Sequence, residues 1–299
     1  MRPTACGVAV LLAWFAPDLA ASWQEAGRPG APAESAFRSG VNLVDVYASV
    51  TDAMGRPVTT LTQADFEVRE DGRLQEVSVF AAGEVPLTVA LAVDRSFSMA
   101  GEPLRLARQA ARSFLHALRP GDRSVVLSID ATAAVLASVA AGRDAQDAAL
   151  AGLDAWGTTA LHDAVLAALD RLEPEPGRQA LVVFSDGVDR ESRASHAEVV
   201  ARARRGRALV YPVALGRTRP EWFAELASVT GGRSFHARTA GGLEPALAAV
   251  AEDLRHQYLL GYVSNASDRQ AGSWRSIAVA VRGGRAGLRV RARDGYVVP

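Results

Sequence analysis

The stretch "LTVALAVDRSFSM", Leu87 to Met99, decides the fold. A nearly continuous apolar run meets Asp94, and two serines follow at steps of two, Ser96 and Ser98. Alternation would mark a strand with one wet face. A continuous run marks a strand covered on both faces, as in a parallel sheet flanked by helices. Asp94 then falls at the carboxyl edge of that sheet, where open α/β sheets bind ligands.

The sequence after Pro86 fits that reading. Apolar strands at 87–93, 124–129, 135–139, 181–185, 209–215 and 234–237 alternate with helical stretches at 104–118, 145–153, 161–172, 197–204, 221–229 and 243–255. In the first helix Leu104, Ala107, Ala111, Phe114, Leu115 and Leu118 share one face. Only Asp130 to Ala134 separate the second and third strands, which leaves no room for a crossover helix, so this pair is expected to be antiparallel at an edge. The expectation for residues 86–256 is a three-layer αβα, Rossmann-like domain: a mainly parallel six-stranded sheet with one antiparallel edge strand.

The flanks change period. In "VNLVDVYASVTD", Val44, Val46, Ala48 and Val50 share one face and Asp45, Tyr47 and Ser49 the other, which predicts a half-buried strand. Asp71-Gly72 between two alternating runs predicts a tight hairpin. Residues 41–85 therefore form a β unit too small to hold a core alone. Period two returns in "QYLLGYV", "RSIAVAV" and "GLRVRA" within 257–299. The economical arrangement packs the two ends together as one discontinuous β-sandwich.

Residues 1–22 read as a signal peptide, with an apolar core "CGVAVLLAWFA" and small residues at Ala20, Ala21 and Ser22. Residues 23–40, rich in Gly, Pro and Ala, read as a flexible linker. The chain is thus expected to be exported, to the periplasm or beyond, without an integral membrane span. Its one cysteine, Cys6, would leave with the signal, so no disulfide is expected. The 299 residues are 49% apolar with a formal net charge of zero, and all 33 basic residues are arginine. Nothing in that balance calls for a nucleic-acid partner. The densest basic spot, Arg204-Arg205-Gly206-Arg207, sits where a helix should end, as the helix dipole favours. The five tryptophans are dispersed, with no aromatic stacking platform in the pattern.

With the first and fourth strands adjacent at the sheet centre, the loops "DRSFSM" and "SDGVDR" face one crevice, and "WGTTALHDA" reaches the same end. Asp94, Ser96, Ser98, Asp186 and the hydroxyls of Thr158 and Thr159 should converge there. Two carboxylates and several hydroxyls form an all-oxygen set with little charge. Such a set suits a hard divalent cation, with Mg²⁺ the first expectation and Mn²⁺ or Ca²⁺ the alternatives.

Asp-x-Ser-x-Ser at Asp94, Ser96 and Ser98, Gly-Thr-Thr at Thr159, and Ser-Asp-Gly at Asp186 resemble the metal-ion-dependent adhesion site of von Willebrand factor type A domains. The resemblance implies a metal held by Ser96, Ser98 and Thr159, supported by Asp94 and Asp186. It also implies a non-enzymatic module whose metal takes an Asp or Glu carboxylate from a partner protein. "GRPVTTLTQADFEVREDG", "YLLGY" and "RARDGY" are similar to a bacterial exported subfamily of VWFA-related domain proteins, which adds little about the partner or the oligomeric state.

Two other readings stay open. A serine hydrolase would use Ser98 as nucleophile, His162 or His196 as base and Asp186 as orienter, although "FSMAG" lacks the leading glycine of a nucleophile elbow. A scaffold would bind through its β-sandwich with a vestigial or structural metal site. His162 is expected to be an exposed first-turn residue close enough to the crevice to meet a partner, Asp163 either a carboxylate supporting the site or one favoured by the helix dipole alone, and Asp189 a solvated loop residue or part of the crevice rim. Asn265-Ala266-Ser267 reads as a loop.

Overall fold

The first strands obey their period. β1 (Leu43–Thr51) buries Val44, Val46, Ala48 and Val50. β2 (Phe66–Glu70) and β3 (Arg73–Gln75) form the predicted hairpin, and β4 (Val77–Ala82) follows. Asp71 and Gly72 take φ of 47° and 77°. Left-handed values at both turn positions match the right-handed twist of the flanking strands, which is why Asp-Gly is favoured there. These strands belong to a computed structural model that describes residues 43–83, 85–266, 270–284 and 287–298. The signal peptide and linker expected at 1–40 lie outside the described residues.

The central sheet contains β5 (Leu87–Asp94), buried at every position. After it come α1 (Glu102–His116), β6 (Arg123–Ile129), β7 (Ala133–Ala137), α2 (Arg143–Ala151), α3 (Leu161–Leu172), β8 (Arg178–Ser185), α4 (His196–Arg205), β9 (Leu209–Leu215), α5 (Glu221–Thr230), β10 (Phe235–Ala237) and α6 (Leu243–Arg255). The order is β10-β9-β8-β5-β6-β7, with every pair parallel except β6 and β7. Val89, Leu91 and Val93 face α1, α2 and α6, while Ala90 and Ala92 face α3, α4 and α5. This is the αβα, mainly parallel architecture expected from the sequence. The edge strand starts two residues earlier than its apolar pattern predicts. Asp130 and Thr132 close the turn at once, through Asp130 N to Thr132 O at 3.1 Å and Thr132 N to Asp130 Oδ1 at 2.9 Å, so pairing resumes at Ala133.

The chain ends in β11 (Tyr258–Val263), β12 (Trp274–Val281), β13 (Arg289–Arg291) and β14 (Gly295–Val297). They interleave with the first strands in two sheets, β13-β1-β11-β4 and β14-β12-β2-β3. Val46, Ala48, Phe66, Val68, Tyr258, Leu260 and Tyr262 form their shared core. The discontinuous sandwich is therefore real, and each end of the chain supplies the apolar face the other lacks.

β1 departs from the half-buried expectation in its second half, where Ser49 is buried as well as Val50. Its far face there packs on the α/β layer instead of water. Asp253 of α6 accepts from Tyr211 Oη of β9 at 2.7 Å, from Ser49 Oγ at 3.4 Å and from the guanidinium of Arg291 on β13. Gln257 Nε2 adds bonds to Tyr211 Oη at 3.0 Å and Ser49 Oγ at 3.3 Å. A polar network thus fixes the register of the sandwich against the last helix.

Candidate functional site

β5 and β8 are neighbours at the sheet centre, and the chain winds away from them in opposite directions. Their pairing runs up to Val93 and Phe184, so Asp94 and Ser185 stand side by side one step further on. Asp94 is wholly buried. Its Oδ2 accepts from Ser185 Oγ at 2.5 Å and its Oδ1 from Ser96 N at 2.9 Å. Burial pushes its carboxyl above the ordinary range, against the Ser185 and Ser96 hydrogen bonds, and the charge of Asp186 pushes the same way. Arg95 does not compensate this charge. Its Nε lies 3.3 Å from Asp130 Oδ2, an ionic contact without hydrogen-bond alignment.

After Asp94 the chain makes a single tight turn, Phe97–Met99, which buries Met99 and brings the serine hydroxyls together. Ser96 Oγ and Ser98 Oγ are 3.0 Å apart. Adjacent oxygens around an octahedral Mg²⁺ with bonds of about 2.1 Å are separated by about 3.0 Å, so these hydroxyls fit neighbouring positions on one ion. Ser96 is buried and Ser98 exposed, so this edge runs from the protein interior to solvent.

The other two loops are tied to the first through the backbone. Trp156 N donates to Arg95 O at 2.7 Å, and Phe97 N donates to Gly157 O at 3.0 Å. Gly157 has φ of 73°, a conformation that admits glycine without strain. Ala160 N donates to Asp130 O at 2.7 Å. The carbonyl of Thr159 accepts from Arg190 N at 2.9 Å and Glu191 N at 3.3 Å, which fixes the loop after β8. Thr159 is buried, and its neighbour Thr158 is half-buried. Asp186 is partly exposed, with Oδ1 accepting from Val188 N at 3.0 Å. All five residues singled out from the sequence thus sit on three loops joined at one sheet edge.

Several residues that hold this edge were misread or passed over in the sequence. Asp189 is not a solvated loop residue. It is half-buried, and its Oδ1 accepts from Leu161 N at 2.7 Å, His162 N at 3.3 Å and Ser192 Oγ at 2.6 Å. It caps α3 from 28 residues away. Asp163 reciprocates, accepting from Arg193 N and Ala194 N at 3.0 Å each. Partial burial raises its pKa, but these amide donors outweigh that and hold it below the usual carboxylate range. His162 is half-buried rather than exposed; its Nδ1 lies 3.0 Å from Ala194 O, and Trp222 meets the ring edge-on at 5.0 Å. Ser185 had the one available signal, its place beside Asp186 at the end of an apolar strand. Asp189 had none, because a distant cap leaves no local spacing.

The donor set suits a hard cation. Among the described residues no cluster of three or more His, Cys, Asp or Glu side chains could hold a metal, so a cation at this edge would need hydroxyl or water oxygens in its shell. A buried carboxylate without a cationic side chain, beside two hydroxyls at octahedral spacing, fits Mg²⁺ or a similar ion and suits zinc-type nitrogen and sulfur chemistry poorly. The hydrolase reading needs a histidine base beside Ser98. Ser98 Oγ hydrogen-bonds Ser96 Oγ, and the His162 and His196 rings lie 6.3 Å from each other on the α3–α4 side.

A doubly wound α/β domain with an oxygen-lined site at its switch point defines the class. Residues 89–188, which span all three loops, match the family model of the von Willebrand factor type A domain. No curated protein matches this chain. A von Willebrand factor type A structure from Catenulispora acidiphila is similar at 14% identity and a TM-score of 0.53, covering 87% of this chain and 76% of that one. Proximal thread matrix protein 1 from the mussel byssus, solved with a zinc-occupied MIDAS motif, is similar at 15% identity and a TM-score of 0.53, covering 62% of this chain and 50% of that one. This chain thus spans about half the length of the byssus protein. At such identities the likeness concerns the fold. No helix among the described residues is long and apolar enough to cross a membrane.

Proposed function

We propose that this chain is an exported, non-enzymatic protein-binding module of adhesion type. Its site binds a divalent cation, Mg²⁺ first and Mn²⁺ or Ca²⁺ next, through Ser96, Ser98 and Thr159, with Asp94 and Asp186 in support. The observation that carries this reading is the pair of hydroxyls 3.0 Å apart beside a buried carboxylate that no arginine among the described residues compensates. When bound, the cation supplies an open coordination position for an Asp or Glu carboxylate of a partner protein. Few anionic ligands leave the site with residual positive charge, which favours that carboxylate. Ser185 orients Asp94, and Asp189 and Asp163 hold the threonine loop and the loop after β8 against each other. The zinc-occupied motif in the byssus protein supports a metal at this place in the fold.

The test is a Mn²⁺ titration followed by electron paramagnetic resonance. Wild type should bind one ion, lost in Asp94→Ala and weakened in Ser96→Ala. Capture of envelope proteins should then be EDTA-sensitive for wild type and absent for Asp94→Ala. Equal capture in all arms favours the scaffold reading, in which the sandwich makes the contacts.

A further inference from the structure

Large apolar side chains that face water are few among the described residues, and they are not scattered evenly. Phe97 is 62% exposed, Trp156 64% and Val188 43%. Each stands on a different one of the three loops that carry the candidate metal ligands. The sequence predicted no aromatic platform, because 59 positions separate Phe97 from Trp156. The fold brings their rings to a centroid distance of 6.2 Å at an interplanar angle of 52°.

This pair is held before any partner arrives. The bonds Phe97 N to Gly157 O and Trp156 N to Arg95 O join the two backbones on either side of the rings. Met99 anchors the first loop by burial, and a Cβ on Gly187 would come within 2.3 Å of Pro220, so the Val188 loop is packed as well. Loops joined through their backbones lose little backbone entropy on binding. Exposed apolar surface of this kind marks an interaction site, and Trp is among the residues enriched where binding energy concentrates.

We infer that the rim formed by Phe97, Trp156 and Val188 selects a partner segment whose metal-binding Asp or Glu is flanked, within two positions, by an aromatic or large aliphatic side chain. This rests on the metal-dependent reading above and gives it a partner chemistry. The carboxylate faces the hydroxyl-lined edge while the neighbouring apolar side chain covers the Phe97–Trp156 pair. Ser98, exposed and next to Phe97 in the chain, lies 3.0 Å through its Oγ from the buried Ser96 Oγ.

The test uses displayed seven-residue loops with Asp, Glu or Asn fixed at the centre and the other positions random. They are selected on the full chain in Mg²⁺ and in EDTA. The expected winners carry Asp or Glu with Phe, Trp, Tyr, Leu or Ile within two positions, and disappear in EDTA. The Phe97→Ser/Trp156→Ser double variant should bind these loops at least tenfold more weakly, while its Mn²⁺ resonance titration stays that of wild type. Metal-dependent winners with no apolar neighbour overturn the rim and leave the metal site standing. Apolar winners equal in the Asn library and in EDTA overturn the inference and the carboxylate reading together, as does a selection with no winners. An unchanged Kd for the double variant overturns the rim alone.

Discussion

Among the described residues two buried carboxylates end strands, one in the sandwich and one in the α/β layer. Glu70 closes β2 and accepts from Ser264 Oγ at 2.6 Å, Tyr262 Oη at 2.7 Å and Tyr296 Oη at 3.1 Å. Tyr262 is pushed well above its usual pKa by burial and by this carboxylate, so it serves as a fixed hydroxyl donor. Asp94 closes β5 with the Ser185 hydroxyl and with Ser96, whose amide and side chain both act on it, while Ser96 Oγ also lies 3.0 Å from Ser98 Oγ. Donors drawn from two strands and one loop satisfy Glu70 inside the protein. Asp94 sits at the sheet edge where its donors come from adjacent loop residues and the neighbouring strand. The same residue chemistry thus makes a structural pin in one place and a candidate ligand site in the other. What differs is whether the donors reach the carboxylate from distant strands or from the residues of one sheet edge.

That contrast can be broken most directly by removing each carboxylate. Glu70→Ala should remove the acceptor shared by Tyr262, Tyr296 and Ser264 and cost about 2–4 kcal/mol in urea unfolding. Asp94→Ala, in EDTA, should cost far less, because it also removes a buried charge that no cation offsets. Equal losses would mean that Asp94 is a structural pin like Glu70. Next in size is the cation itself. Mg²⁺ at a hundredfold over Kd should stabilise wild type by about 2.7 kcal/mol and raise Tm, with no shift in Asp94→Ala and a full shift in Glu70→Gln if that variant folds. No shift in wild type would remove the distinction between the two carboxylates.

A smaller effect separates support from ligation. Ser185→Ala should cost about 1 kcal/mol of stability and weaken Mn²⁺ binding without abolishing it, since the hydroxyl orients Asp94. Unchanged Mn²⁺ affinity would show that Asp94 needs no such partner. The smallest effect lies beside Glu70, in the hairpin. Asp71 is held below the usual carboxylate range chiefly by the Arg275 guanidinium, with Ser276 N and Oγ also donating. A depressed folded pKa gives stability that is present above the unfolded value near 4 and lost as pH falls through the folded one. Asp71→Asn should therefore flatten the loss of stability below about pH 4 and leave the cation response intact. A pH profile identical to wild type would discount the Arg275 contact.

Local signals carried much of this architecture. The Asp-Gly turn, the period-two flanks, the continuous runs of β5 and β8 and the short β6–β7 connection each follow from neighbouring residues. The three site loops were legible because each ends a strand or starts a helix in a fixed order. The parts that escaped are those made by distance. Glu70 meets Tyr262 and Tyr296 across 192 and 226 positions. Asp189 caps a helix that precedes it in the chain, and Ser49 is buried because α6 covers a face that its own strand pattern marks as wet.

The sequence by itself determined which elements form, which faces are apolar and which edge of the sheet collects the hydroxyls and carboxylates, because periodicity and turn chemistry act over a few residues. Only the tertiary structure decided what each buried polar group finds there. It set Ser185 on Asp94, spaced Ser96 from Ser98, and brought Phe97 to Trp156, because side-chain partners across a fold are fixed by packing between elements and leave no trace in local spacing.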